Sequence, residues 1–176
     1  MNYFRIKSYA KINLSLNVLK KKSKKLHDIE TLVTFIDLHD LIYIKQIKDL
    51  KHKIKFLGKF SNKISNNNTI TNLLSLLDEN KLLKEKKFEI KVVKNIPQKS
   101  GMGGGSINAA SIFKFFLKRK IFKMNKKNIN NVLKSIGSDV LLGMKIRNSG
   151  ATVNASGGTY IYMAFAEAPF KYANAR

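Results

Sequence analysis

Alternating apolar and polar residues predict several β-strands in the first part of the chain. Period-two patterns run through "INLSLNV", "TLVTFID", "DLIYIKQI", "HKIKFLG" and "FEIKVV", and such alternation is typical of strands with one buried face. In the first pattern the apolar positions are Ile12, Leu14, Leu16 and Val18. The turn-prone residues "LHD" predict a break between the second and third strands. The basic run "KKKSKKL" at residues 20–26 indicates an exposed hairpin tip.

Later segments change to helical spacing. "NTITNLLSLLDENKLL" places its leucines along one side and predicts a helix with Thr71 as the N-cap. A second helix is predicted over residues 106–120, and a third is predicted to begin after the cap Asn125 and to end at Gly137. Because most strands come early and most helices late, the chain of 176 residues is expected to adopt an α+β fold.

A glycine-rich stretch joins the last predicted strand to the second helix. "IPQKSGMGGGSINAAS", residues 96–111, contains four of the ten glycines in the chain. The order strand, glycine loop, helix brings backbone N–H groups and a helix N-terminus together, which favours phosphate binding over a flexible linker or a plain turn. The hydroxyl of Ser106 could contact phosphate or Mg²⁺.

Two common phosphate-binding motifs are disfavoured here. A Walker A loop needs Gly-Lys-Ser/Thr after its glycines, and none follows. "GMGGGS" approaches the dinucleotide pattern G-x-G-x-x-G, but that motif needs an acidic residue about 20 positions later. The corresponding segment, "KRKIFKMNKKNIN", contains no acid.

The charge and composition of the chain are weak evidence for a nucleic-acid partner. The chain carries 34 Lys and Arg against 11 Asp and Glu, a net charge of +23, which would attract a polyanion. The excess is nearly all lysine, and Lys, Asn and Ile share A/T-rich codons, so a biased genome explains it equally well. Nucleic-acid binding is therefore the alternative rather than the leading hypothesis. The chain has no cysteine and no apolar run of about 20 residues, so we expect a cytoplasmic protein with no membrane partner.

The composition changes near residue 148. Residues 148–176 carry three charged side chains, Glu167, Lys171 and Arg176, and the Lys/Asn/Ile bias gives way to Ala, Gly and Tyr. We predict one domain over residues 1–147 and a tail of different origin over 148–176. The tail is expected to contain a short strand over residues 159–166.

Three polar residues in apolar surroundings are candidates for chemistry. Lys11 and Asn13 open the strand in "SYAKINLSL", and Asp139 follows a predicted helix end in "IGSDVLLGM". Taken singly, the lysine could simply be solvated and the aspartate could be a turn residue. Beside a phosphate loop, a carboxylate can orient or deprotonate a hydroxyl while an ammonium stabilises its charge, and phosphoryl transfer needs little more than these groups and a metal.

Four segments together resemble the GHMP superfamily of small-molecule kinases, which includes galactose, homoserine, mevalonate and phosphomevalonate kinases. They are "AKINLSLNV", "LHDIETLVTFIDLHDLI", "IPQKSGMGGGSINAAS" and "IGSDVLLGM", and the likeness covers roughly residues 4–144. It implies an N-terminal domain with a mixed β-sheet packed against helices, of the ribosomal-protein-S5-domain-2-like type. It also implies ATP as phosphate donor, with Mg²⁺.

The resemblance assigns roles to individual residues. It implies that Asp139 is the catalytic carboxylate and Lys11 its partner. It is strongest for members that phosphorylate a cytidine-diphosphate-linked methylerythritol in the non-mevalonate isoprenoid pathway, so Asn13 would contact the methylerythritol and His27 the cytosine. The residues expected to hold the ATP phosphates are Gly101, Gly103, Gly104, Gly105, Ser106 and Asn108. No metal ligands are assigned.

The final residues do not follow the resemblance. GHMP kinases continue into a second α/β domain that closes the cleft, so the likeness implies a truncated kinase with weak or absent turnover. "GGTYIYMAFAEAPFKYANAR" is similar to the end of phage structural proteins. A chimeric or phage-type structural protein is therefore a third hypothesis. The oligomeric state is not predicted.

Overall fold

The computed structural model describes residues 2–21, 27–146 and 162–166. Within these ranges the side chains of residues 18–21, 27–30, 126, 138, 139, 145, 146 and 162–166 lie outside the description. Residues 22–26 of the predicted hairpin tip and most of the predicted tail therefore fall outside the described residues, while residues 20 and 21 end the first strand. No helix in the described ranges is long and apolar enough to cross a bilayer.

A mixed β-sheet forms the centre of the fold, as predicted. Its strand order is β1-β2-β4-β3, with β1 (Phe4–Lys21), β2 (His27–Ile47), β3 (Lys53–Leu57) and β4 (Lys87–Val93). β1 and β4 pair antiparallel with β2, whereas β3 is parallel to β4. The parallel pair is connected by helix α1 (Thr69–Glu79).

The predicted turn at "LHD" is wrong, because β2 is one continuous strand. β2 remains paired with β1 on both sides of this segment, although the register shifts between the Tyr9–His39 and Lys11–Phe35 pairs. The carboxylate of Asp40 is completely buried and accepts hydrogen bonds from the N–H groups of Asn95 and Ile96, just after β4. A residue that commonly promotes turns thus becomes an acceptor inside the fold, and the strand continues.

The first predicted strand exists, but two of its apolar residues are exposed. Leu14 is 59% and Leu16 36% exposed. β4 pairs with β2 only over residues 41–47, so this part of β1 extends beyond the body of the sheet. The alternation therefore predicted the strand but not the exposure of its apolar residues.

The described residues form four helices: α1, α2 (Gly104–Lys118), α3 (Lys126–Ile136) and α4 (Ser138–Ile146). The predicted cap Asn125 and the end of α3 at Gly137 are confirmed. Thr71 is not the N-cap of α1. Asn68 holds that position, accepting from Ile70 and Thr71, while the hydroxyl of Thr71 accepts from the Asn68 N–H. This reciprocal pair is a capping box.

Two further helix boundaries differ from the prediction. α2 begins at Gly104, so two glycines that were predicted to be in the loop form its first turn. Asp139 follows the end of α3, as predicted, but it lies in the first turn of a further helix, α4, that the sequence did not predict.

The hydrophobic core lies between the sheet and the helices. The apolar face of β4, Phe88, Ile90 and Val92, is buried as predicted. Helix α2 contributes two completely buried rings, Phe113 and Phe116, and the ring centroids of Phe88 and Phe116 are 4.7 Å apart. This aromatic packing fixes α2, and therefore the loop before it, against the sheet.

A strand is also found in the predicted tail. β5 (Tyr162–Ala166) pairs antiparallel with β2, from His27 opposite Ala166 to Thr31 opposite Tyr162. The tail strand therefore joins the same sheet, at the part of β2 that extends beyond β4.

A partly buried histidine links α1 to the sheet. The Phe88 N–H donates to His52 Nδ1 at 3.0 Å, and His52 Nε2 lies 3.1 Å from Asp78 Oδ2. Since Nδ1 accepts, the ring proton belongs on Nε2, where it is donated to the carboxylate. Burial lowers the pKa of His52 below its usual value of 6.5, against the opposing charge of Asp78.

This lowered pKa predicts that stability falls in mild acid. Below pH 6.5 the unfolded chain binds the proton at His52 more readily than the folded chain does, so the free energy of unfolding decreases as the pH falls. We expect a lower melting temperature at about pH 5.5 than at about pH 7.5, measured by circular dichroism. In His52→Asn, whose amide can still accept from Phe88, the difference should shrink. An equal difference in both proteins would contradict this prediction.

Candidate active site

The glycine loop and the first turn of α2 define one end of the candidate site. Gly101 and Gly103 have φ angles of 74° and 66°, a left-handed backbone conformation that residues with a Cβ rarely adopt. Gly103 is the N-cap of α2 and provides no side-chain hydrogen bond, whereas asparagine side chains cap α1 and α3. The N–H groups of the first turn of a helix have no partner within the helix, so those of Gly104 to Ser106 are suited to a ligand.

A cavity of about 330 Å³ opens at this loop. Its walls contain two lysines, Lys94 and Lys99, and apolar side chains such as Phe56 and Ile64. Residues 100–106 also line it, and among the lining side chains that the structure describes none is acidic. The cavity therefore combines positive charge with an apolar wall, as a nucleotide site requires.

The N-terminus of α1 reaches the same cavity. Asn68, Thr69 and Ile70 line it. The hydroxyl of Thr69 donates to the carbonyl oxygen of Gly105 at 2.9 Å, which ties the two helix starts together. The positive ends of two helix dipoles thus lie beside one cavity, and this arrangement favours an anionic ligand.

A buried carboxylate below the loop was not identified from the sequence as a site residue. Asp40 is completely buried, and its carboxylate is paired with the ammonium of Lys94. It accepts from the backbone N–H groups of Asn95 at 2.8 Å and Ile96 at 2.9 Å, and from Asn108 Nδ2 at 2.9 Å. Asp40 therefore contacts the segment on each side of the glycine loop.

The structure brings Lys11 to the loop. Its backbone N–H donates to the carbonyl oxygen of Met102 at 3.0 Å, and its residue is only 5% exposed. This contact occurs at the register shift between β1 and β2, and such irregularities re-aim strand residues next to functional sites. Asn13, two positions along β1, is exposed.

The other predicted substrate and catalytic residues are placed by their backbones only. Asp139 lies in α4, and Gly143, one helical turn later, faces α2. A Cβ built on Gly143 would lie 2.7 Å from Ile107 Cδ1 and 3.1 Å from Ala110 Cβ, so the two helices approach closely here. His27 is the first residue of β2. The side chains of Asp139 and His27 lie outside the described part of the chain.

No metal centre is formed by the protein side chains that the structure describes. Among residues 2–21, 27–146 and 162–166, no group of three His, Asp or Glu could hold a metal ion. The sequence assigned no metal ligands, and the described side chains do not identify any.

Comparison with known proteins gives consistent matches. The chain is 59% identical over 145 residues to 4-diphosphocytidyl-2-C-methyl-D-erythritol kinase of Pelagibacter ubique, covering 82% of this chain and 51% of that protein. A crystal structure of 4-(cytidine 5'-diphospho)-2C-methyl-D-erythritol kinase superposes with a TM-score of 0.64 at 21% identity, covering 80% of this chain and 48% of the other. Homoserine kinase from Cytophaga hutchinsonii superposes with a TM-score of 0.52 at 13% identity, covering 81% and 43%.

These matches and the mixed sheet define the class: the fold is that of the N-terminal domain of the GHMP small-molecule kinases. More particularly, the chain resembles the N-terminal half of 4-diphosphocytidyl-2-C-methyl-D-erythritol kinase. The chain spans about half the length of the curated relatives that it matches.

A separate match concerns the later part of the chain. A family model described as a domain of unknown function (DUF7483) matches residues 117–169, which is less than a third of the chain. This stretch begins near the end of α2 and extends beyond β5, so it crosses the boundary predicted between residues 147 and 148. That boundary stays a prediction.

Proposed function

We propose that the chain binds ATP at the glycine loop and transfers its γ-phosphate to the 2-hydroxyl of 4-diphosphocytidyl-2-C-methyl-D-erythritol. The observation that carries the proposal is the first turn of α2, which has no side-chain cap and lines a cavity whose described side chains include two lysines and no acid. The relatives' name supports the choice of acceptor. We further propose that residues 1–147 form the nucleotide-binding domain and that residues 148–176 are a separate tail.

The ATP phosphates would be bound mainly by the backbone. The N–H groups of Gly104, Gly105 and Ser106 would donate to phosphate oxygens, and the dipole of α2 would stabilise their negative charge. Gly104 could not easily be another residue, because an added Cβ would lie 3.1 Å from Ile96 Cγ2 and 3.2 Å from Lys94 Nζ. Gly101 and Gly103 would allow the backbone to curve around the phosphates. Asn108 would keep α2 in place through its hydrogen bond to Asp40.

Phosphoryl transfer would take place between this cradle and the middle of β1, where Lys11 lies. Lys11 would stabilise charge on the reacting oxygen atoms, since its backbone is hydrogen-bonded to the loop. Asp139 precedes Gly143 by one helical turn, so its position lies on the side of α4 that approaches α2. Its carboxylate would accept the proton of the substrate hydroxyl. Asn13 and His27 would contact the methylerythritol and the cytosine, respectively.

Mg²⁺ would accompany ATP. It keeps several waters and is usually held by one or two protein groups together with substrate phosphates. The Ser106 hydroxyl would be one ligand at the cradle, and the bound ion would neutralise charge on the transferred phosphoryl group.

A charge placed at the third position of α2 tests the phosphate cradle. Ser106→Glu should weaken binding of Mg²⁺ with a non-hydrolysable ATP analogue by at least about 10-fold, measured by titration calorimetry, because a carboxylate would repel the phosphates. The same carboxylate should not destabilise the fold, since acids are favourable in the first turn of a helix. Binding and stability should therefore change in different directions.

Asn128→Glu is the matched control. Asn128 is exposed, and its N–H is bonded to the cap Asn125 at 2.9 Å, so it occupies the third position of α3. It introduces the same charge at the same helical position away from the cavity, and should leave affinity within about 2-fold. Equal affinity of the Ser106→Glu and Asn128→Glu proteins would refute the phosphate site.

A further inference from the structure

The buried polar residues of the described chain are concentrated behind the glycine loop. Apart from Thr31, they are Ser8, Lys11, Asp40, Lys94 and Asn108. Ser8 pairs with Asp40 across β1 and β2, and Lys11 is bonded to Met102. The core on the other side of this group consists of aliphatic and aromatic side chains. A charged pair has thus been retained inside the fold at one place only among the described residues, next to the candidate site.

Within this group, Asp40 binds both Lys94 and Asn108. A buried carboxylate is costly unless several donors satisfy it. Here the donors come from Lys94 at the end of β4, from the next two backbone N–H groups, and from Asn108 in α2. The first three fix where the loop begins, and the fourth fixes α2 one turn after its first residue.

The orientation of the ion pair favours an anion in the cavity. Lys94 lines the cavity, whereas Asp40 is completely buried behind it. The ammonium of Lys94 also lies near Gly104, at 3.2 Å from the position that a Cβ would occupy there. The pair therefore presents its positive end to the loop and keeps its negative end away from bound phosphate.

We propose that Asp40 is a positioning residue for nucleotide binding. It sets the distance between the end of β4 and the first turn of α2, and so holds the loop amides in the arrangement that phosphate needs. Asp40 itself touches no ligand. This inference rests on the proposed phosphate site and adds to it the residue that determines its geometry.

The test separates positioning from a purely structural role. Asp40→Asn keeps the size of the side chain but removes its charge, which leaves the Lys94 ammonium without its carboxylate. We expect the dissociation constant to rise at least about 10-fold, both for Mg²⁺ with the non-hydrolysable ATP analogue and for inorganic tripolyphosphate, measured well below the melting temperature.

Asp78→Asn is the matched control. Asp78, like Asp40, pairs with a lysine, and it also pairs with a histidine. It lies far from the cavity, because Thr69, which lines the cavity, is at the opposite end of α1, about 14 Å along the helix. It should lower the melting temperature while leaving both dissociation constants within about 2-fold. If Asp40 has only a structural role, the folded Asp40→Asn protein should have the same dissociation constants as the Asp78→Asn protein. That result would overturn the inference.

A second variant covers the case in which Asp40→Asn does not fold. Asn108→Leu removes one donor and preserves the Asp40–Lys94 pair, so three of the four contacts remain. We expect a rise of about 3-fold or more in both dissociation constants, and unchanged values would overturn the inference. If the wild-type chain binds neither ligand, the proposed phosphate site is refuted and this role for Asp40 with it. Binding by the wild type with no effect of these variants refutes the positioning role alone.

Discussion

Asp139→Asn is expected to reduce phosphoryl transfer from ATP by at least about 100-fold, because a positioned general base commonly contributes about 10²- to 10⁴-fold. The amide has nearly the same size but cannot accept the proton of the substrate hydroxyl. The loss should appear in turnover rather than in nucleotide affinity, since in the proposed site the phosphates would be bound by α2 and the glycine loop. The measurement is transfer of radiolabelled γ-phosphate to 4-diphosphocytidyl-2-C-methyl-D-erythritol.

Two observations would contradict this assignment. Full turnover in Asp139→Asn would exclude the carboxylate as the base. A wild-type chain that binds the ATP analogue but transfers no phosphate to this acceptor would refute the proposed activity and leave the nucleotide site intact. The Ser106→Glu protein is the complementary control, since it should lose affinity for the nucleotide.

Phe116→Ala is expected to cause the largest loss of stability. The ring is completely buried, contacts Phe88 with 4.7 Å between centroids, and lies 6.5 Å from the ring of Phe122. Truncating a buried phenylalanine to alanine costs about 3–5 kcal/mol, from lost burial and from the cavity that remains. For a chain of this size that corresponds to a decrease of roughly 6–20 °C in melting temperature, measured by calorimetry.

Phe115→Ala provides an internal comparison on the same helix. Phe115 is only partly buried, and its ring packs against Phe4, which is 45% exposed, at 5.6 Å. The same substitution one residue earlier should therefore cost much less than at Phe116. Similar losses at both positions would show that α2 is not held to the sheet by the buried face that Phe116 occupies.

Local pattern predicted most elements of the fold. The alternation in β4 and the leucine spacing in α1 gave the right structures, because each is determined by which face of a short segment is buried. Leu14 and Leu16 show the limit of this reasoning. Their alternation fits a strand, but whether another element covers them depends on how far β1 extends past the rest of the sheet.

The candidate site was predicted only in part, for a related reason. The glycine loop has a local signature, so its position between a strand and a helix could be predicted. Asp40 has none, because its partners lie 54–68 positions later in the chain and only the folded sheet brings them together. The composition of "LHD" therefore predicted a turn where the structure uses the aspartate as a buried acceptor.

The hydrogen bond from the Lys11 N–H to the Met102 carbonyl oxygen connects the proposed nucleotide site to the strand expected to bind the phosphate acceptor. The glycine loop and the middle of β1 are joined by their main chains, so we expect a shift of one to be transmitted to the other without any side chain. Occupancy of the nucleotide cradle should consequently alter the affinity for the phosphate acceptor, and thermodynamic linkage requires the same factor in the reverse direction. Cooperativity between the two substrates would then be a property of this backbone contact.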